Sequence, residues 1–139
     1  MDSWRKEFMN GSAYTAAKRG RKAALKWSLR MWEGLLKKNL KKHGLSHLEN
    51  GSLAEWEDGA VVDSFRPDDS EDALCIRYAK AIDCKGCPVA EEYGNSCDHR
   101  DSNGCIAGSP WESFSDFEDA RPMLRLLRKA AKKYGVNWP

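Results

Sequence analysis

From Arg21 to His43 the apolar residues Ala24, Leu25, Trp27, Leu29, Met31, Trp32, Leu35, Leu36 and Leu40 recur at three- and four-residue steps, with no proline among them. That spacing puts one apolar stripe along an α-helix, and it predicts a single long helix over the whole stretch. Gly44 is suited to stop the helix in the left-handed conformation, and Gly20 separates it from a shorter helical turn over Ala13 to Lys18. Gly34 inside the helix costs about 1 kcal/mol against alanine, which points to close packing there. Ser52 followed by Glu55 has the form of a capping box, so "SLAEWEDG" reads as one or two helical turns ending at Gly59. "AVVDSF" is the one strand-like run. Beyond Pro67, Leu74, Tyr78 and Ile82 sit four apart on an expected helix with acidic residues at its start. Pro88 to Tyr93 reads as a short helix ended by Gly94, and Ser109, Pro110 and Glu112 form a second cap signal. The closing run "RPMLRLLRKAAKKYG" sets Met123, Leu127, Ala130 and Tyr134 on one face, with Gly135 as the stop. The expected architecture is mostly α: a small single domain over residues 1–139, with a long N-terminal helix and a C-terminal helix packed over a cysteine-rich, metal-stapled knuckle.

Composition agrees with one globular domain, since 41% of 139 residues are hydrophobic. No apolar run reaches transmembrane length, and the opening "MDSWRKEFMNGS" has no apolar signal region. The expected location is a reducing cytoplasm. Net charge is only +2, but it is unevenly spread. Residues 1–50 carry 12 Lys/Arg against 4 Asp/Glu, residues 51–120 carry 5 against 17, and residues 121–139 carry 6 against none. Such a chain either folds its basic ends around its acidic middle or displays separate fields to partners, and internal matching is the favoured reading. Opposite the apolar stripe, Lys18, Lys22, Lys26 and Arg30 follow at four-residue spacing, continued by Lys37 and Lys41. Like charges at that spacing repel, so this ridge needs solvent or an acidic partner. It supports an alternative reading as a nucleic-acid-binding face, with no helix-turn-helix, RNP or zinc-finger pattern behind it. Trp27 and Trp32 have the shape to stack on bases, yet beside leucines at helical spacing they are expected in the core.

Four of the five cysteines lie between Cys84 and Cys105. An odd count in a reducing compartment argues against a disulfide framework and for metal ligation. Cys84 and Cys87 form a C-x-x-C followed by Pro88, a turn that lets two thiolates reach one ion. A closed tetrahedral zinc site needs two more ligands, and the preferred set is Cys75, Cys84, Cys87 and Cys105, with Cys97 or His99 as substitutes. An iron–sulfur cluster ranks below zinc.

The run Cys75…Cys84-x-x-Cys87-Pro88…Cys105…Ser109-Pro110-Trp111 resembles a widespread group of small bacteriophage and prophage proteins. The resemblance covers residues 73–114, and the opening "SWRKEF" with its basic helix is also phage-like. By position it matches Cys75, Cys84, Cys87 and Cys105 and leaves Cys97 and His99 as extras. Some members carry a further cysteine near Cys75, where this chain has Asp72, Ala73 and Leu74. The resemblance implies a protein acting inside an infected bacterium and brings no activity with it.

Catalysis is not expected. "HLE" at His47–Glu49 with Cys84 and Cys87 imitates a zinc deaminase signature, but that signature has proline before its first cysteine, whereas here Asp83 precedes Cys84. No nucleophile–base set, phosphate-cradling glycine loop or carboxylate pair can be placed, although His99 lies near Cys97. The functional expectation is a phage-type accessory protein with a structural metal that binds and modulates a host or phage protein. Membrane is not an expected partner, and the sequence leaves the oligomeric state open.

Overall fold

The computed structural model describes residues 1–66, 72–78, 86–92, 114 and 118–137. In chain order they form α1 (Asp2–Phe8), α2 (Ala13–Arg19), α3 (Arg21–Gly34), α4 (Lys37–Lys42), β1 (Leu45–His47), β2 (Leu53–Glu57), β3 (Ala60–Phe65), α5 (Ala73–Tyr78), α6 (Pro88–Glu92) and α7 (Arg121–Lys133). The chain is mostly helical, as expected, with a small antiparallel sheet ordered β1-β2-β3. Ile82, Gly94 and the cap at Ser109–Glu112 lie outside the described residues.

The central element is α3, which packs against α1, α2, α5 and α7. Ala24, Leu25, Leu29 and Met31 are fully buried on it, and Trp27 and Trp32 are core residues as the spacing predicts. Each large apolar side chain withdrawn from water contributes about 1.5–3 kcal/mol. From the far end of the chain, α7 adds Met123, Leu124, Leu127 and Ala130 to the same cluster. It closes at Gly135, where the Val136 amide reaches back to the Ala131 carbonyl at 2.8 Å.

The long helix expected over Arg21–His43 is instead two helices, broken at Leu35 and Leu36. A tryptophan from α1 causes the break. Trp4 is fully buried, and its indole N–H donates to the Gly34 carbonyl at 2.8 Å. Asn39 captures the Glu33 carbonyl in the same way, also at 2.8 Å. Two carbonyls of the last turn are thereby taken by side chains, and Leu36 turns extended before α4 begins. Gly34 does mark close packing: a Cβ there would stand 2.5 Å from the Phe8 ring.

The segment read as helical turns over "SLAEWEDG" is also corrected, because Leu53–Glu57 is the central strand of the sheet. Asp58 and Gly59 both have positive φ, at 51° and 80°, and join β2 to β3 in a two-residue turn. Such a turn follows the right-handed twist of paired strands, and the Asp-Gly dipeptide is its usual signature. That pairing outweighs the capping box, since Ser52 is extended and its carbonyl accepts from Leu48 at 2.7 Å. β3 covers Ala60–Phe65, the strand-like run of the sequence. Phe65 meets Trp4 with ring centroids 5.3 Å apart, and Arg5 pairs with Asp63 at 3.1 Å, so α1 locks the sheet to the helices. On β1, the His47 ring packs edge-on against Phe114, and neither buried ring nitrogen has a hydrogen-bond partner among the described residues. Burial lowers the His47 pKa from its ordinary 6.5.

Candidate functional site

Two places carry candidate chemistry: the cysteine segment and the basic face of α2 and α3. Of the six candidate metal ligands, Cys75 and Cys87 are described, whereas Cys84, Cys97, His99 and Cys105 lie outside the described residues. Cys75 sits on α5 and packs against the hydrophobic cluster to which Cys87 belongs. Neither is in a disulfide. Cys87 caps α6, its carbonyl accepting from Glu91 at 3.0 Å. Burial pushes its thiol up to about 11, against an opposing pull from the Ala90 and Val89 amides. A thiol so protonated is a poor nucleophile, but a soft cation can displace the proton, and those two amides are suited to support the resulting thiolate. The donor chemistry of Cys87 therefore fits a structural zinc. Among the described residues no group of three His, Cys, Asp or Glu side chains converges on a point.

Three residues before Cys75 stands a residue that cysteine spacing does not reveal. Asp72 is buried and caps α5, its carbonyl accepting from Ile76 at 2.9 Å. Its carboxyl accepts from the Ser28 hydroxyl, from the Trp32 indole at 3.0 Å and from the Leu74 amide at 2.9 Å. Desolvation raises its pKa above the ordinary 3.8, while Ser28, Trp32 and the amides of Leu74 and Cys75 pull the other way. The Asp72 charge also acts on Cys87. An aspartate just before an apolar helical run is a cap signal, and that signal was legible. Its partners on α3, 40 and 44 residues away, were not.

The basic ridge is distributed over three helices. Lys18 belongs to α2, Lys22, Lys26 and Arg30 to α3, and Lys37 and Lys41 to α4 beyond the helix break. Lys18, Lys22 and Lys26 are exposed and make no ion pair among the described residues. Arg30 is engaged, donating to the Glu7 carbonyl at 3.1 Å and lying over the Phe8 ring. Lys37 lines a different groove, beside Glu118 and Asp119. The internal matching expected between basic and acidic blocks is therefore partial among the described residues. Between the blocks, Asp63 pairs with Arg5, Glu55 with the Met1 amine, Asp119 with Arg121 and Glu92 with Lys133, while the exposed Lys18, Lys22 and Lys26 have no such pair among the described residues.

A groove of about 830 Å³ runs beside this ridge, between the α1–α2 connection and α3. Phe8, Ala16, Ala23 and Trp27 contribute apolar surface, and Arg19, Lys26 and Arg30 contribute the cations. Trp27 is held in place by its indole, which donates to the Gly11 carbonyl at 3.2 Å. With Trp27 8% exposed and Trp32 2% exposed, neither ring offers a face to an unstacked base. No helix of the described residues is long and apolar enough to cross a membrane. No family model matches the chain, and no curated protein or solved structure is detectably similar to it.

Proposed function

We propose that this chain is a small phage-type accessory protein that acts by binding rather than catalysis, docking a host or phage protein in the cytoplasm of an infected bacterium. The groove between α1, α2 and α3 carries the proposal. Its apolar floor and its rim of Arg19, Lys26 and Arg30 suit a partner segment that presents an apolar side chain flanked by carboxylates. Affinity purification from infected cells tests it. A partner retained by the native chain and lost from an Arg19→Glu, Lys26→Glu variant of equal melting temperature is the expected outcome. The same partners on both baits would overturn it.

The metal belongs to the same proposal. Cys75, Cys84, Cys87 and Cys105 would hold zinc, with Cys97 or His99 as substitutes, and the ion would serve only to tie the middle of the chain to its core. Elemental analysis of untagged protein should find one zinc per chain. Less than half an equivalent, with all five thiols titrating in the folded state, would refute it; one cluster's worth of iron would replace zinc by the iron–sulfur alternative.

The exposed Lys18, Lys22 and Lys26 favour a second reading, a nucleic-acid-binding face. Three phosphate contacts would give a salt slope of about −2 to −3 on a log–log plot. Retention on DNA or RNA with that slope, lost when the three lysines become glutamate, is its signature; no retention at low salt eliminates it.

A further inference from the structure

At the corner where α2 turns into α3, a second pocket of about 630 Å³ is lined by Arg19, Arg21, Lys22 and Arg77, with Tyr78 and Tyr134 beside them. Four cationic side chains thus converge from three helices. Two of them are fixed in place. Arg77 donates to the Ala17 carbonyl at 2.7 Å and to the Tyr78 hydroxyl at 3.2 Å. Arg21 lies over the Tyr134 ring, 4.8 Å from its centroid. A carbonyl, a phenol and an aromatic ring thus order the two guanidinium groups without cancelling their charge. The carboxylate whose field reaches Arg21 is Glu91, and it is engaged by the Tyr134 hydroxyl. Arg19 and Lys22 make no ion pair among the described residues.

Four exposed cations around one pocket set up a positive field there, which an anion bound between them would relieve. Guanidinium forks match the paired oxygens of a phosphate better than any single point charge does. The fourteen-residue α3 begins at the same place, with Gly20 supplying no side-chain cap and no acidic residue in the first turn. Its amides and dipole add to the field that the four cations set up.

We propose that this corner binds the phosphate of a small phosphorylated ligand of nucleotide size. The volume is that of small-molecule sites and leaves room beyond one phosphate for an attached group. The site adjoins the docking groove and shares Arg19 and Ala23 with it, whereas Arg21, Lys22 and Arg77 line this pocket and not the groove.

Titration of the isotope-labelled full chain, metal retained, with inorganic pyrophosphate and with adenosine diphosphate tests the proposal by NMR. Saturable shifts centred on the amides of Arg19–Ala23, Arg77, Tyr78, Gly86 and Tyr134 are expected. The Arg21→Gln, Lys22→Gln variant should bind at least roughly tenfold more weakly at unchanged melting temperature. Equal affinity for the two probes supports a site that reads phosphate alone, and tighter adenosine diphosphate supports one that also holds the nucleoside. Absence of saturable shifts, or shifts spread over the whole basic face, would overturn the proposal. An oligonucleotide without terminal phosphate that binds this corner more tightly than either probe would also overturn it, in favour of a nucleic-acid backbone.

Discussion

The two ends of α5 are built on opposite electrostatic plans. At its start, Asp72 is buried and gathers donors from Ser28, Trp32 and its own helix. At its end, Arg77 and Tyr78 line a pocket together with Arg19 of α2 and with Arg21 and Lys22 of α3. The first cluster is closed, because its donors find their acceptor within the chain, and it fixes how α5 docks on α3. The second is open, because charge accumulates there without an equal countercharge among the described residues. Closed polar clusters specify packing, since any missing partner leaves a desolvated group uncompensated. Open ones leave free energy to be gained by whatever arrives from outside.

The largest expected effect lies at the closed end. Asp72→Ala removes the carboxylate acceptor of the Ser28 hydroxyl and the Trp32 indole and one of the two acceptors of the Leu74 amide, and should destabilise the fold by about 3 kcal/mol in urea unfolding. Asp72→Asn keeps one acceptor oxygen and should cost about half as much. A loss below about 1 kcal/mol for the alanine variant would break the distinction between the two ends.

Gly34→Ala comes next, at about 2 kcal/mol, because its Cβ would meet the Phe8 ring at 2.5 Å. Repeating it in a Phe8→Ala background should abolish most of that penalty, which a double-mutant cycle reads directly.

His47 supplies a third case, a half-buried ring whose buried nitrogens have no hydrogen-bond partner among the described residues. Its folded pKa lies below the ordinary 6.5, so the unfolded chain takes up the proton first as the pH falls. The stability that His47 contributes is therefore present above 6.5 and lost on acidification toward its folded pKa. His47→Leu should flatten the stability profile between about pH 7 and pH 5 relative to the native chain. A profile with unchanged slope would show the ring to be solvated in the folded state.

The smallest effect belongs to the outward cations. Lys22→Gln and Lys26→Gln should change stability by less than about 0.5 kcal/mol, since neither lysine has an ion pair among the described residues to lose. A clear loss would mean that the ridge serves folding and would remove the reason to seek a partner for it.

The core faces of α3 and α7, the burial of Trp27 and Trp32, the strand at Ala60–Phe65 and the close packing at Gly34 were all legible from residue types a few positions apart. The β2–β3 hairpin was also written locally, in Asp58-Gly59, but Ser52 and Glu55 spelled a competing helix start in the same stretch. Strand pairing decided between them. At the candidate sites the sequence named Cys75 and Cys87 and the lysines, yet it did not show Asp72 as the link to α3 or Arg77 and Tyr78 as part of a cationic pocket.

Periodicity, caps and turn dipeptides act within a turn or two of chain, so their outcome is readable along it. The break after Gly34 depends on Trp4, thirty residues away, and the pocket joins residues of α2, α3 and α5. Such features exist only once packing has set which donors and charges meet, and which of them are left without a countercharge.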